Sequence, residues 1–260
     1  MKNSSYISKN AKIDKSVKIG PFCYIGENVK IGKNCNLISH VHLNGYTTIG
    51  VNNTFYPFCS IGSAPQDLKY KGEKSFLNIG NNNTFRENVT VNLGTKGGGL
   101  KTVIKNNCLF MVGSHIAHDC KIESNVILAN NATLAGHVEI GENAIIGGNS
   151  AIHQFVQIGK NSMIGGMSGV EKNILPYCLY MGIRTGLKGL NLVGLKRKNI
   201  SNKTIKLISS FLHDIFDKNN SIEINLMNLD KKYEKILEIE EMIKFLKKSN
   251  KRGIAKFLNE

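Results

Sequence analysis

A large apolar residue recurs at every sixth position along most of this chain. Ten successive positions of this kind run from Ile7 to Ile61, and the period resumes in phase at Ile79, Phe85 and Val91. After a slip of one residue it continues from Ile104 to Val170. A period this long and regular indicates a repeat architecture, in which each repeat buries its apolar face against its neighbours.

The residues between these apolar anchors indicate short strands joined by tight corners. The fourth position after an anchor is usually small or β-branched, as in Val29 and Cys35, and the next position after an anchor is often glycine, as in Gly20 and Gly147. Glycine adopts the positive φ angles that tight corners require. Three hexads make one triangular coil of 18 residues, so the period predicts a mainly β protein, a parallel β-helix of about eight coils.

Two interruptions and a change of period divide the chain. We predict a β-helix over residues 1–183 with loops at 63–77 and 94–102, followed by an α-helical domain over 184–260. The first loop is polar and charged, and the second is rich in glycine. Such a loop can cradle phosphate, but it lacks the usual Gly-Lys-Ser/Thr ending, and a flexible surface loop remains an equal alternative.

The C-terminal segment shows helical spacing. Ser201 is a plausible N-cap for a helix that carries Ile205, Ile208, Leu212 and Ile215 on one face. A second helical pattern runs from Tyr233 to Leu246 through Ile236, Leu237 and Ile243.

The net charge of +15 favours an anionic partner. From Arg184 onward there are 17 Lys and Arg against nine acidic residues, although a lysine-rich coding bias would give the same excess. The sequence has no nucleic-acid-binding motif and no Trp, so we expect no nucleic-acid partner.

No apolar stretch is long enough to form an integral membrane segment, and the polar N-terminus does not resemble an export signal, so we expect a cytoplasmic protein.

The cysteines fit the same register. All except Cys178 occupy the small inward slot, and no two are one coil apart. They are therefore expected to be small buried residues in a reducing compartment, rather than disulfides or metal ligands.

Four histidines lie close together in the repeat: His115, His118, His137 and His153. An 18-residue coil places Gly136 directly above His118, with His137 as its neighbour. On spacing alone, three interpretations stay open. His118 is a general base oriented by Asp119, because imidazole titrates near neutral pH; or the histidines bind a metal; or they form hydrogen bonds across a subunit interface.

Several strings in the sequence resemble the UDP-N-acetylglucosamine O-acyltransferase family. They are Gln66-Asp-Leu-Lys-Tyr-Lys-Gly-Glu73, Ser114-His-Ile-Ala-His-Asp-Cys120, Ile127-Leu-Ala-Asn-Asn-Ala-Thr-Leu-Ala-Gly-His137, Ile145-Ile-Gly-Gly148, His153-Gln-Phe155 and Asn191-Leu-Val-Gly-Leu-Lys-Arg197. The resemblance extends from the first repeat to the start of the helical tail.

This resemblance implies a left-handed parallel β-helix and a homotrimer. It also implies transfer of an (R)-3-hydroxyacyl group from acyl carrier protein to the 3-hydroxyl of UDP-N-acetylglucosamine, the first step of lipid A biosynthesis. The transfer would be direct, with neither a cofactor nor a metal. Carrier proteins of this class are acidic, which gives the basic tail a specific partner.

The resemblance also assigns roles to single residues. His118 matches the catalytic base, Asp119 its carboxylate partner and Gly136 the donor of an oxyanion-binding N–H. The residues that match substrate contacts are Gln66, Asp67, Lys69, His115, His137, His153, Gln154, Asn191, Arg197 and Lys198. Gly166 matches a position that limits acyl length, and a glycine there favours a longer chain.

The sequence departs from the family pattern at a few positions. Asn92 and Leu93 stand where the family commonly has His-Arg, and Lys198 replaces an arginine, which removes a bidentate donor. These changes leave open an amino-substituted acceptor sugar. A metal-dependent hydrase and other acyl- or acetyltransferases with the same repeat are the alternative functions.

Overall fold

The computed structural model describes residues 4–217, 219–248 and 251–257, and it consists of short strands followed by helices. The strands are β1 (Tyr6–Ile7), β2 (Lys12–Ile13), β3 (Lys18–Ile19), β4 (Tyr24–Ile25), β5 (Lys30–Ile31), β6 (Asn36–Leu37), β7 (His42–Leu43), β8 (Tyr46–Ile49), β9 (Thr54–Phe55), β10 (Ser60–Ser63), β11 (Phe76–Ile79), β12 (Thr84–Phe85), β13 (Thr90–Asn92), β14 (Lys101–Ile104), β15 (Leu109–Phe110), β16 (His115–Ile116), β17 (Lys121–Ile122), β18 (Ile127–Leu128), β19 (Thr133–Leu134), β20 (Glu139–Ile140), β21 (Ile145–Ile146), β22 (Ala151–Ile152), β23 (Gln157–Ile158), β24 (Met163–Ile164), β25 (Gly169–Val170), β26 (Cys178–Tyr180) and β27 (Leu187–Leu190).

Each strand from β4 to β22 pairs with the strands three before and three after it in the chain, which gives a prism with three faces. Face A contains β1, β4, β7, β10, β13, β16, β19, β22 and β25; face B contains β2, β5, β8, β11, β14, β17, β20 and β23; face C contains β3, β6, β9, β12, β15, β18, β21, β24, β26 and β27. Neighbouring strands are parallel, except that β26 and β27 are antiparallel. The predicted coil is confirmed, because Ile116 pairs with Leu134 one coil later.

The anchor residues form a continuous apolar column inside the prism. Those from Ile25 to Val170 are at most 4% exposed, and along face C the Phe85 ring stacks on Phe55 and makes a tilted contact with Phe110. Burial of each such side chain contributes about 1.5–3 kcal/mol. Ile7 is 43% exposed because it lies in the first coil, where no coil precedes it.

The corners contain residues in the left-handed region, and most of these residues are asparagine. The corner between faces B and C has this conformation at Asn34, Asn52, Asn82, Asn107 and Asn125. Asparagine tolerates positive φ better than other non-glycine residues, which otherwise lose about 1–2 kcal/mol. Asparagine therefore fulfils at many corners the role that the sequence analysis gave to glycine alone.

Four α-helices follow the strands: α1 (Leu192–Arg197), α2 (Asn202–Ile215), α3 (Ile222–Met227) and α4 (Leu237–Lys248). The predicted N-cap of α2 is confirmed, since the Ser201 side chain accepts a hydrogen bond from the Thr204 N–H. None of the helices in the described ranges is long and apolar enough to cross a membrane.

The helix predicted from Tyr233 begins later than expected. Lys231–Tyr233 is a short 3-10 turn, Glu234 is extended and Lys235 has a φ of 62°, so the chain cannot continue as a helix before Ile236. Helix α4 therefore buries Ile239, Met242 and Leu246, whereas Leu237, predicted on the apolar face, is 62% exposed.

Candidate active site

His118 and Asp119 lie in the corner between faces A and B, after β16 and before β17. Asp119 has a φ of 60°, which turns its side chain back beside the preceding residue. The His118 Nδ1 atom lies 2.8 Å from Asp119 Oδ2. The predicted stacking is confirmed as well, since the His137 N–H donates to the His118 carbonyl oxygen one coil away, at 2.9 Å.

The Asp119 carboxylate is fully buried and is surrounded by donors from the glycine-rich loop. The Thr95 N–H lies 2.9 Å from Oδ1 and 3.1 Å from Oδ2, and the Thr95 hydroxyl donates to Oδ2 at 2.5 Å. A buried carboxylate needs such donors to remain charged. Because Asp119 acts as an acceptor toward Thr95, the His118 Nδ1–H donates to it, and this leaves the lone pair on His118 Nε2.

Two glycines make room for this arrangement. A Cβ at Gly136 would lie 2.5 Å from His118 Nε2, so the imidazole ring occupies the space that a side chain would need. A Cβ at Gly98 would lie 2.0 Å from the Asp119 Cγ. Among the described residues, the Gly136 N–H has no hydrogen-bond acceptor.

The first loop covers His118 from the opposite side. Asp67 Oδ2 lies 4.0 Å from His118 Nε2, and the Asp67 Oδ1 atom accepts the Lys69 N–H at 2.9 Å. Glu73 joins the two loops because its carboxylate accepts the N–H of Lys71 at 2.8 Å and that of Lys96 at 3.0 Å. His118 is only 7% exposed, because both loops enclose it.

Two more histidines lie beside this pair. The His137 ring makes an edge contact with His118 at 5.0 Å, stacks on Phe155 at 4.4 Å, and has its Nε2 3.9 Å from Asp119 Oδ2. Burial lowers the pKa of His137, although Asp119 opposes that effect. Burial also lowers the pKa of His115, whose Nδ1 lies 2.7 Å from the Thr90 hydroxyl. Both rings are therefore neutral at neutral pH.

The ligand atoms of His118, Asp119 and His137 lie within 4.8 Å of one another, a spacing that a metal ion could bridge. However, Asp119 Oδ2 already accepts hydrogen bonds from Thr95 and lies against His118 Nδ1. Metal binding there would have to displace these donors. The geometry favours a hydrogen-bonded acid–base pair.

Four other predicted site residues lie in the same corner of a later coil or on the first loop. His153 and Gln154 occupy the same corner one coil beyond Gly136, since the Phe155 N–H donates to the Gly136 carbonyl oxygen. Gln66 and Lys69 are exposed on the first loop.

The remaining predicted residues lie elsewhere on the chain. Gly166 is in the corner between faces C and A, one face away from His118. Asn191 uses its amide to cap α1, accepting from the Gly194 N–H and donating to the Asn161 carbonyl oxygen. Arg197 ends α1 and Lys198 follows it, both exposed.

Sequence reasoning missed Thr95, Gly98 and Glu73. Part of the signal was available, because Thr95 follows Gly94 at the start of a glycine-rich loop that interrupts the repeat 24 residues before Asp119. What the sequence could not give was the folding of that loop over Asp119.

Asn92 and Leu93, the departures from the family pattern, are both buried. The Asn92 amide donates to the Ala64 carbonyl oxygen at 3.1 Å and so holds the start of the first loop. A Cβ at Gly45 would lie 2.7 Å from Leu93 Cδ1, so Leu93 packs against the corner that follows β7, two strands earlier on face A. Both residues support the loops that enclose His118.

Comparison with known proteins identifies the family. Residues 173–255 match the family model "Udp N-acetylglucosamine O-acyltransferase; Domain 2", and residues 10–45, 101–136 and 137–172 match the bacterial transferase hexapeptide model. The acyl-[acyl-carrier-protein]–UDP-N-acetylglucosamine O-acyltransferase of Thermodesulfovibrio yellowstonii is 47% identical over 97% of this chain and 98% of its own. The corresponding protein of Rickettsia bellii is 47% identical over 98% of this chain and 90% of its own.

Solved structures agree. A UDP-N-acetylglucosamine acyltransferase crystal structure has a TM-score of 0.93 at 41% identity, covering 98% of both chains. The LpxA structure from Acinetobacter baumannii has a TM-score of 0.94 at 40% identity, covering 97% of this chain and 98% of the other. The predicted fold class, a left-handed parallel β-helix with a small helical domain, is confirmed. This chain belongs to the UDP-N-acetylglucosamine O-acyltransferase family of acyltransferases.

Proposed function

We propose that this enzyme transfers an (R)-3-hydroxyacyl group from acyl carrier protein to the 3-hydroxyl of UDP-N-acetylglucosamine, the first step of lipid A biosynthesis. The observation that carries the proposal is the orientation of His118. Its Nδ1 is held by the buried Asp119, while its Nε2 lies beside Gly136 and 4.0 Å from Asp67 Oδ2.

The chemistry follows from that orientation. His118 Nε2 removes the proton of the sugar hydroxyl as its oxygen attacks the thioester carbonyl carbon. The carbon–sulfur bond of the tetrahedral intermediate then breaks, and the imidazolium returns its proton to the leaving thiolate. The new ester and the free thiol of the carrier are the products, with no covalent acyl-enzyme.

Two groups stabilise the charges that develop. The Asp119 carboxylate stabilises the imidazolium, and the free N–H of Gly136 is a donor for the oxyanion. One such donor contributes about 3 kcal/mol, and a positioned base contributes about 10²- to 10⁴-fold in rate.

The test is an acyl-transfer assay with hydroxyacyl carrier protein and UDP-N-acetylglucosamine. We expect His118→Ala to reduce kcat by at least about 10²-fold. The chain offers a matched control in His213→Ala, because His213 also precedes an aspartate but lies exposed on α2. A His118→Ala variant that is as active as the control would contradict the general-base role.

A homotrimer is part of the same proposal. The corner between faces C and A carries an exposed column of rings, Phe22, His40 and Phe58, spaced 4.8 and 5.0 Å apart, with Phe22 and Phe58 more than half exposed. Packing of this corner against a neighbouring copy would cover these rings. Light scattering should then give about three times the chain mass of 28.7 kDa, and a monomeric mass would contradict this part of the proposal.

We assign acyl-length selection to Gly166. A Cβ there would lie 3.3 Å from the Gly148 carbonyl oxygen, so the glycine leaves space at this surface. Rates with a graded series of carrier-protein thioesters should favour longer chains, and Gly166→Met should shift the preference to shorter ones. Fastest transfer of short chains by the wild type would reject this assignment.

The remaining predicted contacts divide between the two substrates. We propose that one group positions the sugar and the acyl chain, namely Gln66, Asp67, Lys69, His115, His137, His153 and Gln154. A second group contacts the nucleotide, namely Asn191, Arg197 and Lys198.

The helical tail carries exposed lysines, such as Lys244, Lys247 and Lys248 on α4, for the acidic carrier protein. Binding of the carrier should weaken steeply with salt if these charges dock it.

We further propose that the reaction takes place in the cytoplasm. Among the described residues, all six cysteines are free and buried, and burial raises the pKa of the Cys59 thiol to about 12. Protonated, unpaired thiols of this kind suit a reducing compartment.

A further inference from the structure

The glycine-rich loop has no role in the chemistry proposed above, although it interrupts the repeat beside His118. It begins at Gly94, forms a 3-10 turn over Lys96–Gly98 and returns to the prism at Lys101. Thr95 stands at the head of this turn and is 4% exposed. Its hydroxyl does not cap the turn that follows it, which is the usual task of a threonine in this position.

We propose that Thr95 is a positioning residue for the reaction, which holds the Asp119 carboxylate in the one orientation that keeps His118 protonated on Nδ1 and unprotonated on Nε2. The inference rests on the proposed function of His118.

The hydrogen bonds of Thr95 support this role. Its hydroxyl and the His118 Nδ1 both contact the same carboxylate oxygen, Asp119 Oδ2, at 2.5 and 2.8 Å. Its N–H contacts both carboxylate oxygens. A carboxylate held by two donors of one residue has little freedom to rotate about its Cβ–Cγ bond, so Oδ2 stays directed at the imidazole.

The surroundings of the carboxylate are closed to other partners. Its side chain has no exposed surface, and the backbone of Gly98 lies directly over it, at the place where any other residue would put a Cβ. The Asp119 N–H is bound separately by the Thr102 hydroxyl at 2.8 Å. Water cannot replace the Thr95 hydroxyl without displacement of the loop.

The loop that carries Thr95 is itself tied to the first loop. Glu73 accepts the N–H of Lys96, the residue after Thr95, and its other oxygen accepts the N–H of Lys71, four residues after Asp67. The two interruptions of the repeat thus meet on both sides of His118: one holds Asp119 behind the ring, and the other places Asp67 in front of it.

The hydroxyl can be removed without a large change in shape. Thr95→Val keeps the backbone N–H and the side-chain volume but loses the hydrogen bond to Oδ2, whereas Thr95→Ser keeps it. We expect Thr95→Val to reduce kcat by about 10- to 100-fold with little change in KM, because Thr95 is buried and does not reach substrate. Thr95→Ser should remain within about 3-fold of the wild type. Thr47→Val is the matched control, since Thr47 is also buried and its hydroxyl donates to the Asn44 carbonyl oxygen, far from His118.

A second measurement does not depend on activity. In protein labelled with ¹⁵N-histidine, and with the His118 signals identified by their loss in His118→Ala, the ring nitrogen shifts report which nitrogen carries the proton. We expect Nδ1 protonation in the wild type, in Thr95→Ser and in Thr47→Val, and a shift toward Nε2 protonation in Thr95→Val. If Thr95→Val does not fold, Thr95→Ala removes the same hydroxyl with a smaller side chain.

The outcomes are distinct. An unchanged kcat and an unchanged tautomer in Thr95→Val would overturn the proposal, and so would a Thr95→Ser variant as impaired as the valine variant. A rise in KM without a fall in kcat would assign the loop to substrate binding instead. If wild type fails to transfer the acyl group while the tautomer shift occurs, the proposed function fails and the positioning by Thr95 stands.

Discussion

The chain contains the dipeptide His-Asp twice, and the two copies have opposite surroundings. His118-Asp119 lies in a corner of the β-helix, with side chains 9% and 0% exposed and 2.8 Å between Nδ1 and Oδ2. His213-Asp214 lies on α2, with side chains 89% and 44% exposed and 3.6 Å between His213 Nδ1 and Asp214 Oδ1. The same two residues thus make a buried, short contact in one place and a loose surface contact in the other.

The partners of the two carboxylates explain the difference. Asp119 is bound by Thr95 and has a left-handed backbone that directs it at its neighbour. Asp214 instead accepts the Tyr233 hydroxyl at 2.5 Å and lies 3.6 Å from the Lys232 Nζ, and chiefly the tyrosine hydrogen bond lowers its pKa. Asp214 therefore connects α2 to the segment that carries Tyr233, whereas Asp119 contacts the histidine beside it. A surface ion pair of this kind contributes at most about 1 kcal/mol.

The largest expected difference between the two pairs comes from a change of carboxylate to amide. We expect Asp119→Asn to reduce kcat by about 10²- to 10⁴-fold. The amide would present its oxygen to the Thr95 N–H in place of Oδ1, and its NH₂ to the Thr95 hydroxyl and His118 Nδ1 in place of Oδ2, which forces the imidazole proton onto Nε2 and removes the base. Steady-state kinetics should show Asp214→Asn close to the wild type. Comparable losses of kcat in both variants would show that the buried pair has no special role in the reaction.

Substitution of Gly98, which lies against the Asp119 side chain, tests how much the activity depends on the glycine-rich loop. In Gly98→Ala the added Cβ would lie 2.3 Å from Asp119 Oδ2, and we expect kcat to fall by about 10- to 100-fold as the loop is displaced. The neighbouring Gly97→Ala is the control, because nothing lies within 4 Å of its Cβ. Equal kinetics for the two alanine variants would show that the carboxylate does not depend on this loop.

The tie between the loops should have a smaller effect. Glu73→Gln replaces one carboxylate oxygen by an NH₂ donor, and because the N–H groups of Lys71 and Lys96 contact different oxygens, one of them loses its acceptor. We expect KM for the sugar nucleotide to rise by about 2- to 5-fold while kcat changes less, because Asp67 on the first loop is held less firmly. Glu27→Gln, an exposed carboxylate hydrogen-bonded to Asn28, is the matched control. A larger effect on kcat than on KM would place Glu73 with the Asp119 network instead.

The sequence predicts the β-helix well because its information is local and repeated. The six-residue period places Ile116 and Leu134 in register, and the same arithmetic places Gly136 on His118. It also accounts for the N-cap at Ser201, since a cap depends on its own backbone and on the residue three positions later.

The conformations of the two loops cannot be predicted in this way, because their sequences have no period. The positions of Thr95 and Glu73 depend on contacts between segments more than 20 residues apart, which a spacing rule does not encode. The sequence also contains two His-Asp pairs, and the residue types alone do not show which pair is buried. Only the register of the first, in a corner opposite Gly136, separates it from the second.

The smallest expected effect concerns pH, and it separates buried from exposed histidines. Burial holds the pKa of His115 below its ordinary value of 6.5 in the folded chain. As pH falls below 6.5, the unfolded chain therefore binds a proton that the folded chain does not, so the free energy of unfolding decreases in that range. Thermal melting between pH 7.5 and 5.5 should show a loss of stability on acidification that is smaller in His115→Gln than in the wild type. His213→Gln is the exposed control, and an equal pH dependence in His115→Gln and the wild type would mean that His115 takes up its proton as readily in the folded chain as in the unfolded one.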